Sequence, residues 1–257
     1  MNTDLLDALG IEGGIVCAVG AGGKKTTLYR IADVHGGRVA VTTTVFMAPF
    51  PKRFRGERVL TEPERIEGAV LDAAEDSDRV AYACTSEKPG RHGGVPSDRI
   101  HRIHQDGGFA LTLVKADGAR MRGIKAPSER EPNLPPGTDL VLYLVSAATL
   151  GEPLDEAVAH RVEKLETIMQ LPRGGTIGPG HIARLLTSPE GALQGVGGAR
   201  LVPVINQVDD AERHRAARAA AELALENAKG HFDRVILASM RRDRPIVEVV
   251  HGDGHPD

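Results

Sequence analysis

Short apolar runs alternate along the chain with stretches whose apolar positions recur every three to four residues, and the rhythm holds almost from end to end. Residues 14–19 (GIVCAV), 38–42, 58–60, 80–84, 109–114, 140–145, 200–205 and 235–238 read as strands. Most are too uniformly hydrophobic to keep a solvated face, the signature of strands covered on both sides. Helices are expected over residues 4–9, from about 25 to 34, over 63–74 and 97–105, and from 210 to about 229. Gly36 and Gly37 stop the second of these, and Pro63 suits the first turn of the third. Residues 246–250 read as a late edge strand, and 251–257 (HGDGHPD) as a flexible tail. Strand and helix in alternation predict an α/β fold of three layers, a mostly parallel sheet with helices on both faces, forming one domain over residues 1–250. The rhythm breaks at residues 117–136, which are long, basic and proline-rich yet begin directly after a buried strand. Residues 117–195 are therefore expected to be an irregular or inserted region carrying a substrate or client site.

The first strand runs into VGAGGKKTTLY. Gly20, Gly22 and Gly23 let backbone amides approach a ligand without side chains in the way, and Ala21 adds little bulk. The amides from Val19 to Thr26 are expected to converge on an anion, with the positive end of the next helix aimed at the same point. Lys24 supplies a point charge for the β- and γ-phosphates, and Thr26 or Thr27 a hydroxyl for Mg²⁺. The predicted fold is therefore P-loop NTPase-like, with ATP or GTP as ligand and Mg²⁺ as cofactor. The match to G-x-x-x-x-G-K-[ST] is incomplete: Ala18 stands at the leading glycine and Lys25 follows the loop lysine. A plain glycine-rich turn is the simpler alternative, but it needs no Lys-Lys-Thr-Thr. A dinucleotide fingerprint would need glycine at position 25.

Two further strand ends add chemistry, since open α/β sheets bind ligands at the carboxyl ends of their strands. Asp117 ends one buried strand and is expected as a catalytic carboxylate and metal ligand beside Lys24 and Thr26. Arg120 and Lys125 follow, suited to a polyanion, or else to a solvated loop. Thr42, Thr43 and Thr44 end the second strand, where they contact ligand or simply favour β structure. Asn206 and Asp209 follow another strand in INQVD, which resembles the N-K-x-D element by which GTPases read guanine, with Gln207 in place of its lysine. Asp209 as a helix cap is the alternative.

Composition narrows the partners. At a net charge of −3 and 3% aromatic residues, the chain has neither the field nor the stacking platforms of a nucleic-acid binder. No run reaches the length of a membrane span, so no membrane partner and a cytoplasmic location are expected. Cys17 and Cys84 sit in apolar runs and read as buried thiols. No His/Cys spacing suggests zinc.

GAGGKKTT (20–27), VTTT (41–44), KADGAR (115–120), KAPSEREP (125–132), GEPLDEAVAHR (151–161) and INQVD (205–209) together resemble the YqeC-type accessory proteins of selenium-dependent molybdenum hydroxylases, over roughly residues 13–239. Three positions depart from that pattern: Lys25, Lys115 and Gln207. The resemblance implies a P-loop NTPase fold and a role in maturing a molybdenum hydroxylase or delivering its cofactor. It adds Glu131, His160 and Arg161 to Thr42–Thr44, Arg120 and Lys125 as the substrate or client site. A small-molecule kinase or nucleotidyltransferase acting on an anionic acceptor, and a nucleotide-gated module without chemistry, use the same residues.

Overall fold

The computed structural model describes residues 3–252. In chain order the elements are α1 (Thr3–Leu9), β1 (Gly14–Gly20), α2 (Lys24–Val34), β2 (Val39–Thr43), β3 (Glu57–Thr61), α3 (Ile66–Asp76), β4 (Arg79–Cys84), α4 (Ser97–Asp106), β5 (Leu111–Lys115), β6 (Ile124–Lys125), β7 (Thr138–Ser146), β8 (Ala159–His160), α5 (Val162–Met169), α6 (Pro179–Thr187), β9 (Arg200–Asn206), α7 (Ala211–Glu226), β10 (Arg234–Ala238) and β11 (Ile246–His251). Nine strands form one sheet in the order β11-β10-β9-β7-β1-β5-β2-β4-β3, and β6 pairs with β8 in a separate ribbon. Within the large sheet every pair is parallel except β10 with β11.

The period of two along β1 divides the core. Ile15, Cys17 and Val19 face one layer with Val70, Ile100 and Ala220, while Val16 and Ala18 face the other with Leu28 and Ile31. Each such buried Val or Ile contributes about 1.5–3 kcal/mol. The outcome is the three-layer α/β arrangement expected from the alternation of elements. Helix α7 meets α6 and β10 through Ala217, Ala220, Ala221 and Ala224, small side chains that permit close approach.

Topology places the crevice. The chain leaves β1 through α2 for β2, passing over the position that β5 later fills, and leaves β5 for β7 on the opposite flank of β1. Connections that diverge in this way open a crevice at the carboxyl ends of the strands.

Three expectations change. Residues 117–195 are not irregular throughout: the strand expected at 140–145 is β7, hydrogen-bonded between β1 and β9 in the main sheet, and helices α5 and α6 follow it. Helix α7 ends at Glu226, three residues early, where Asn227 leaves the helical region. His251 pairs with Arg234 as the last residue of β11 rather than opening a tail; residues 253–257 lie outside the described residues. Among the described residues no helix is long and apolar enough to cross a membrane.

Candidate functional site

Between β1 and α2 the turn is left-handed at Gly20 (φ 80°), Gly22 (φ 83°) and Gly23 (φ 118°). A Cβ on Gly20 would lie 2.3 Å from the Leu144 carbonyl oxygen, and one on Gly22 would lie 2.7 Å from the Ser146 nitrogen. Glycine is thus demanded twice, by backbone sign and by contact with β7. The expected convergence of amides is only half met. The Gly20 amide donates to Asp117 Oδ2 (2.8 Å), that of Ala21 to the Leu144 carbonyl (2.8 Å) and that of Gly22 to the Arg122 carbonyl (3.3 Å). These three hold the turn against its neighbours. Among the described residues, the amides of Lys24, Lys25 and Thr26 at the start of α2 have no protein acceptor. They are the donors a helix leaves open at its positive end.

Lys24 folds back over the turn. Its Nζ donates to the Gly20 carbonyl and lies 2.8 Å from Asp117 Oδ1. Burial pulls this lysine's pKa down, and Asp117 opposes the shift. Asp117, 2% exposed, is held from both sides: Lys125 Nζ sits 2.8 Å from Oδ2. Oδ1 keeps its ion pair with Lys24 but has no donor in hydrogen-bond alignment. Lys125, expected to meet an anionic ligand, is instead 1% exposed and spent on Asp117, Glu131 Oε2 (2.8 Å) and the Gly118 carbonyl (2.8 Å). Glu131 in turn takes Arg161 Nη1 at 2.7 Å. Burial alone would raise the Glu131 carboxyl, but Lys125, the Ser128 amide and Arg161 outweigh it and hold the pKa at about 2. A continuous chain of charge therefore runs Lys24–Asp117–Lys125–Glu131–Arg161.

Mg²⁺ was expected at Thr26 and Asp117. Asp117 does not fit a directly bound cation, because each carboxylate oxygen already has an ammonium 2.8 Å away. No group of three His, Cys, Asp or Glu side chains suited to a metal occurs among the described residues. Thr27 donates its hydroxyl to the Gly23 carbonyl (3.2 Å), whereas the Thr26 hydroxyl has no partner among the described residues. Lys25 points away, its Nζ reaching the carbonyls of Ala48 and Pro49, so only its amide serves the turn.

The remaining corners divide into latches and open surface. Thr42, Thr43 and Thr44 donate their hydroxyls to the carbonyls of Tyr82 (2.8 Å), Lys115 (2.9 Å) and Asn133 (2.9 Å), stitching strand ends together. Asn206 is buried; its Nδ2 donates to the Gly22 carbonyl (2.7 Å) and its Oδ1 accepts from the Met240 amide (3.1 Å), tying β9 and β10 to the turn. Asp209 accepts from the Ser239 hydroxyl (2.5 Å), and its neighbour Asp210, not Asp209, caps α7 by accepting from the Arg213 amide. A small open depression lies between these groups, bordered by Gly23, Thr26, Asn206, Asp209, Ser239 and Arg241. It adjoins the open start of α2.

Sequence patterns did not single out Lys115, Ser146 or Ser239 as site residues. Lys115 Nζ donates to the Asp117 carbonyl (2.7 Å), and burial, then Lys24, brings its pKa down to about 7. Ser146 ends β7, its hydroxyl donating to Gln207 Oε1. The available signal was positional: each stands at or beside the carboxyl end of a parallel strand. Arg120 is exposed at a tight turn, and His160 lies opposite Lys125 where β8 pairs with β6. Both Cys17 and Cys84 are free and buried, and burial pushes the Cys17 thiol up to about 12.

A family model described as YqeC protein matches residues 16–163, a span holding the glycine turn and the whole charge chain. The uncharacterized protein YqeC of Escherichia coli (strain K12) is 28% identical over 204 residues, covering 77% of each chain.

Proposed function

The chain belongs to the YqeC family, and on that premise we propose that it is a nucleoside-triphosphate-binding accessory protein serving a molybdenum hydroxylase. The carrying observation is the open start of α2: three partnerless amides and a folded-back lysine directly after a left-handed glycine turn. Phosphate oxygens would accept from the amides of Lys24, Lys25 and Thr26, and Lys24 would exchange the Gly20 carbonyl for a terminal phosphate. The base would enter the depression beside Asn206, Asp209 and Ser239. Thr26 lines the same space, and its hydroxyl would meet a phosphate or a cation carried in with it. Either ATP or GTP satisfies these contacts. The role toward a molybdenum hydroxylase rests on the resemblance of the motifs to accessory proteins of such enzymes.

Isothermal calorimetry with ATP and GTP, each with and without Mg²⁺, tests the binding. Saturable binding of one triphosphate, lost in Lys24→Ala, is the expected result; no heat with either nucleotide would remove the proposal. The accessory role predicts that cells lacking the protein lose molybdenum hydroxylase activity and regain it with the wild-type chain but not with Lys24→Ala.

The engagement of Asp117 by two lysines favours a second reading, nucleotide-gated binding without turnover. A carboxylate so paired cannot ligate a cation until Lys24 leaves. Bound triphosphate recovered intact after prolonged incubation with Mg²⁺ would select it, and released phosphate would reject it.

A further inference from the structure

We propose that Arg120, His160 and Arg161 form a second oxyanion site, separate from the start of α2, that receives a phosphate-bearing small molecule. The placement comes from the ribbon. Strands β6 and β8 are parallel with Lys125 opposite His160, and partners in register project to the same face. His160 therefore shares the face of Lys125, the face turned toward Asp117 and the glycine turn. The next residue does not alternate away as a strand residue would. Arg161 is left-handed (φ 66°), which brings its guanidinium to Glu131 Oε2 and the Ala126 carbonyl on the same side.

Arg120 stands on the turn leading into β6, which is held near β8 by the Gly123 and Ile124 amides donating to the Val158 carbonyl (2.9 and 3.3 Å), two residues before His160. Arg120 and Met121 are consecutive left-handed residues (φ 48° and 63°) at the tip of the turn after Asp117. Non-glycine residues in that conformation persist where surrounding structure enforces them, and they cluster at ligand sites. The turn is enforced at its base, where the Arg122 carbonyl accepts the Gly22 amide and the Arg122 amide donates to the Ala119 carbonyl.

The groups so assembled are largely unspent. Among the described residues the Arg120 guanidinium and the His160 ring make no hydrogen bond or ion pair, and Arg161 uses only Nη1. Burial first, then Arg161, Lys125 and Arg120, hold His160 down at about 4, with only Glu131 opposing, so the ring is neutral at pH 7 beside three cations. Asp117 and Glu131 are shared among Lys24, Lys125 and Arg161, so the cluster keeps an excess of positive charge even before Arg120 is added. The Arg120 fork and the free nitrogens of Arg161 suit phosphate. A neutral imidazole supplies one further donor without adding charge.

Histidine-resolved NMR titration with inorganic phosphate tests the site, using wild type, Arg120→Ala and Lys24→Ala, each first shown to be folded by circular dichroism. Bound phosphate offsets the cations that depress His160. Its pKa should therefore rise by about one unit in wild type and in Lys24→Ala, and the rise should be lost in Arg120→Ala. A His160 pKa unmoved by phosphate overturns the proposal. So does a shift that vanishes in Lys24→Ala yet survives in Arg120→Ala, because the ion then occupies the nucleotide turn. Neither arm requires that nucleotide bind, so failure of the nucleotide reading leaves this test intact.

Discussion

Lys24, Asp117 and Lys125 carry the chemistry at the scale of single residues, and they play unequal parts. Lys24 can leave Asp117 for a ligand, because Lys125 remains to balance the carboxylate. Lys125 has no such freedom. Replacing it with Ala takes the shared ammonium from two inner carboxylates, leaving Asp117 to Lys24 and Glu131 to Arg161, and should cost about 3 kcal/mol, read as a lowered midpoint in urea denaturation at unchanged slope. An exposed, loop-like Lys125 would cost less than about 1 kcal/mol. Lys24 was legible in the sequence from its place after three glycines. Lys125 was misread as a ligand contact, because a lysine in a basic, proline-rich segment looks solvated until the fold brings Asp117 and Glu131 to it. Thr42–Thr44 show the same gap: the sequence places hydroxyls at a strand end but not the carbonyls of Tyr82, Lys115 and Asn133 that take them.

Among the elements, the turn between β1 and α2 has the least tolerance. Gly22→Ala combines a left-handed φ of 83° with a Cβ 2.7 Å from the Ser146 nitrogen. It should lower stability by about 2 kcal/mol or more and shift the turn off β7. Thermal melts check the first effect, and weakened nucleotide binding checks the second. The strand–turn–helix succession was evident in the sequence because each part is long and strongly patterned. The β6–β8 ribbon was not, since two residues per strand leave no period to detect. Its consequence, His160 beside Lys125, was likewise invisible. The left-handed conformations at Arg120 and Arg161 also escaped notice, because neither residue type announces positive φ as glycine does.

For the whole molecule, the charge chain links the glycine turn to the ribbon and so couples stability to pH. The folded Glu131 pKa of about 2 lies below the ordinary 4.5, so its contribution is full above the ordinary value and fades as pH falls toward the folded one. Unfolding followed by urea from pH 6 to about 2 should show this acid-side loss, and Glu131→Gln should flatten it while lowering stability at neutral pH. An unchanged acid profile in the variant would place the pH dependence elsewhere. The sheet order, with β7 and β5 on either side of β1, sets the site at the point where connections from β1 and β5 diverge. The alternation of elements predicted the layers, while the order of strands depends on crossovers that no local pattern encodes. The most direct test of nucleotide binding at this crevice follows backbone amide resonances as a non-hydrolysable triphosphate is added. The largest shifts should fall on Lys24, Lys25 and Thr26, with smaller ones around Asn206 and Asp209; saturation that leaves those three amides unmoved would contradict the account.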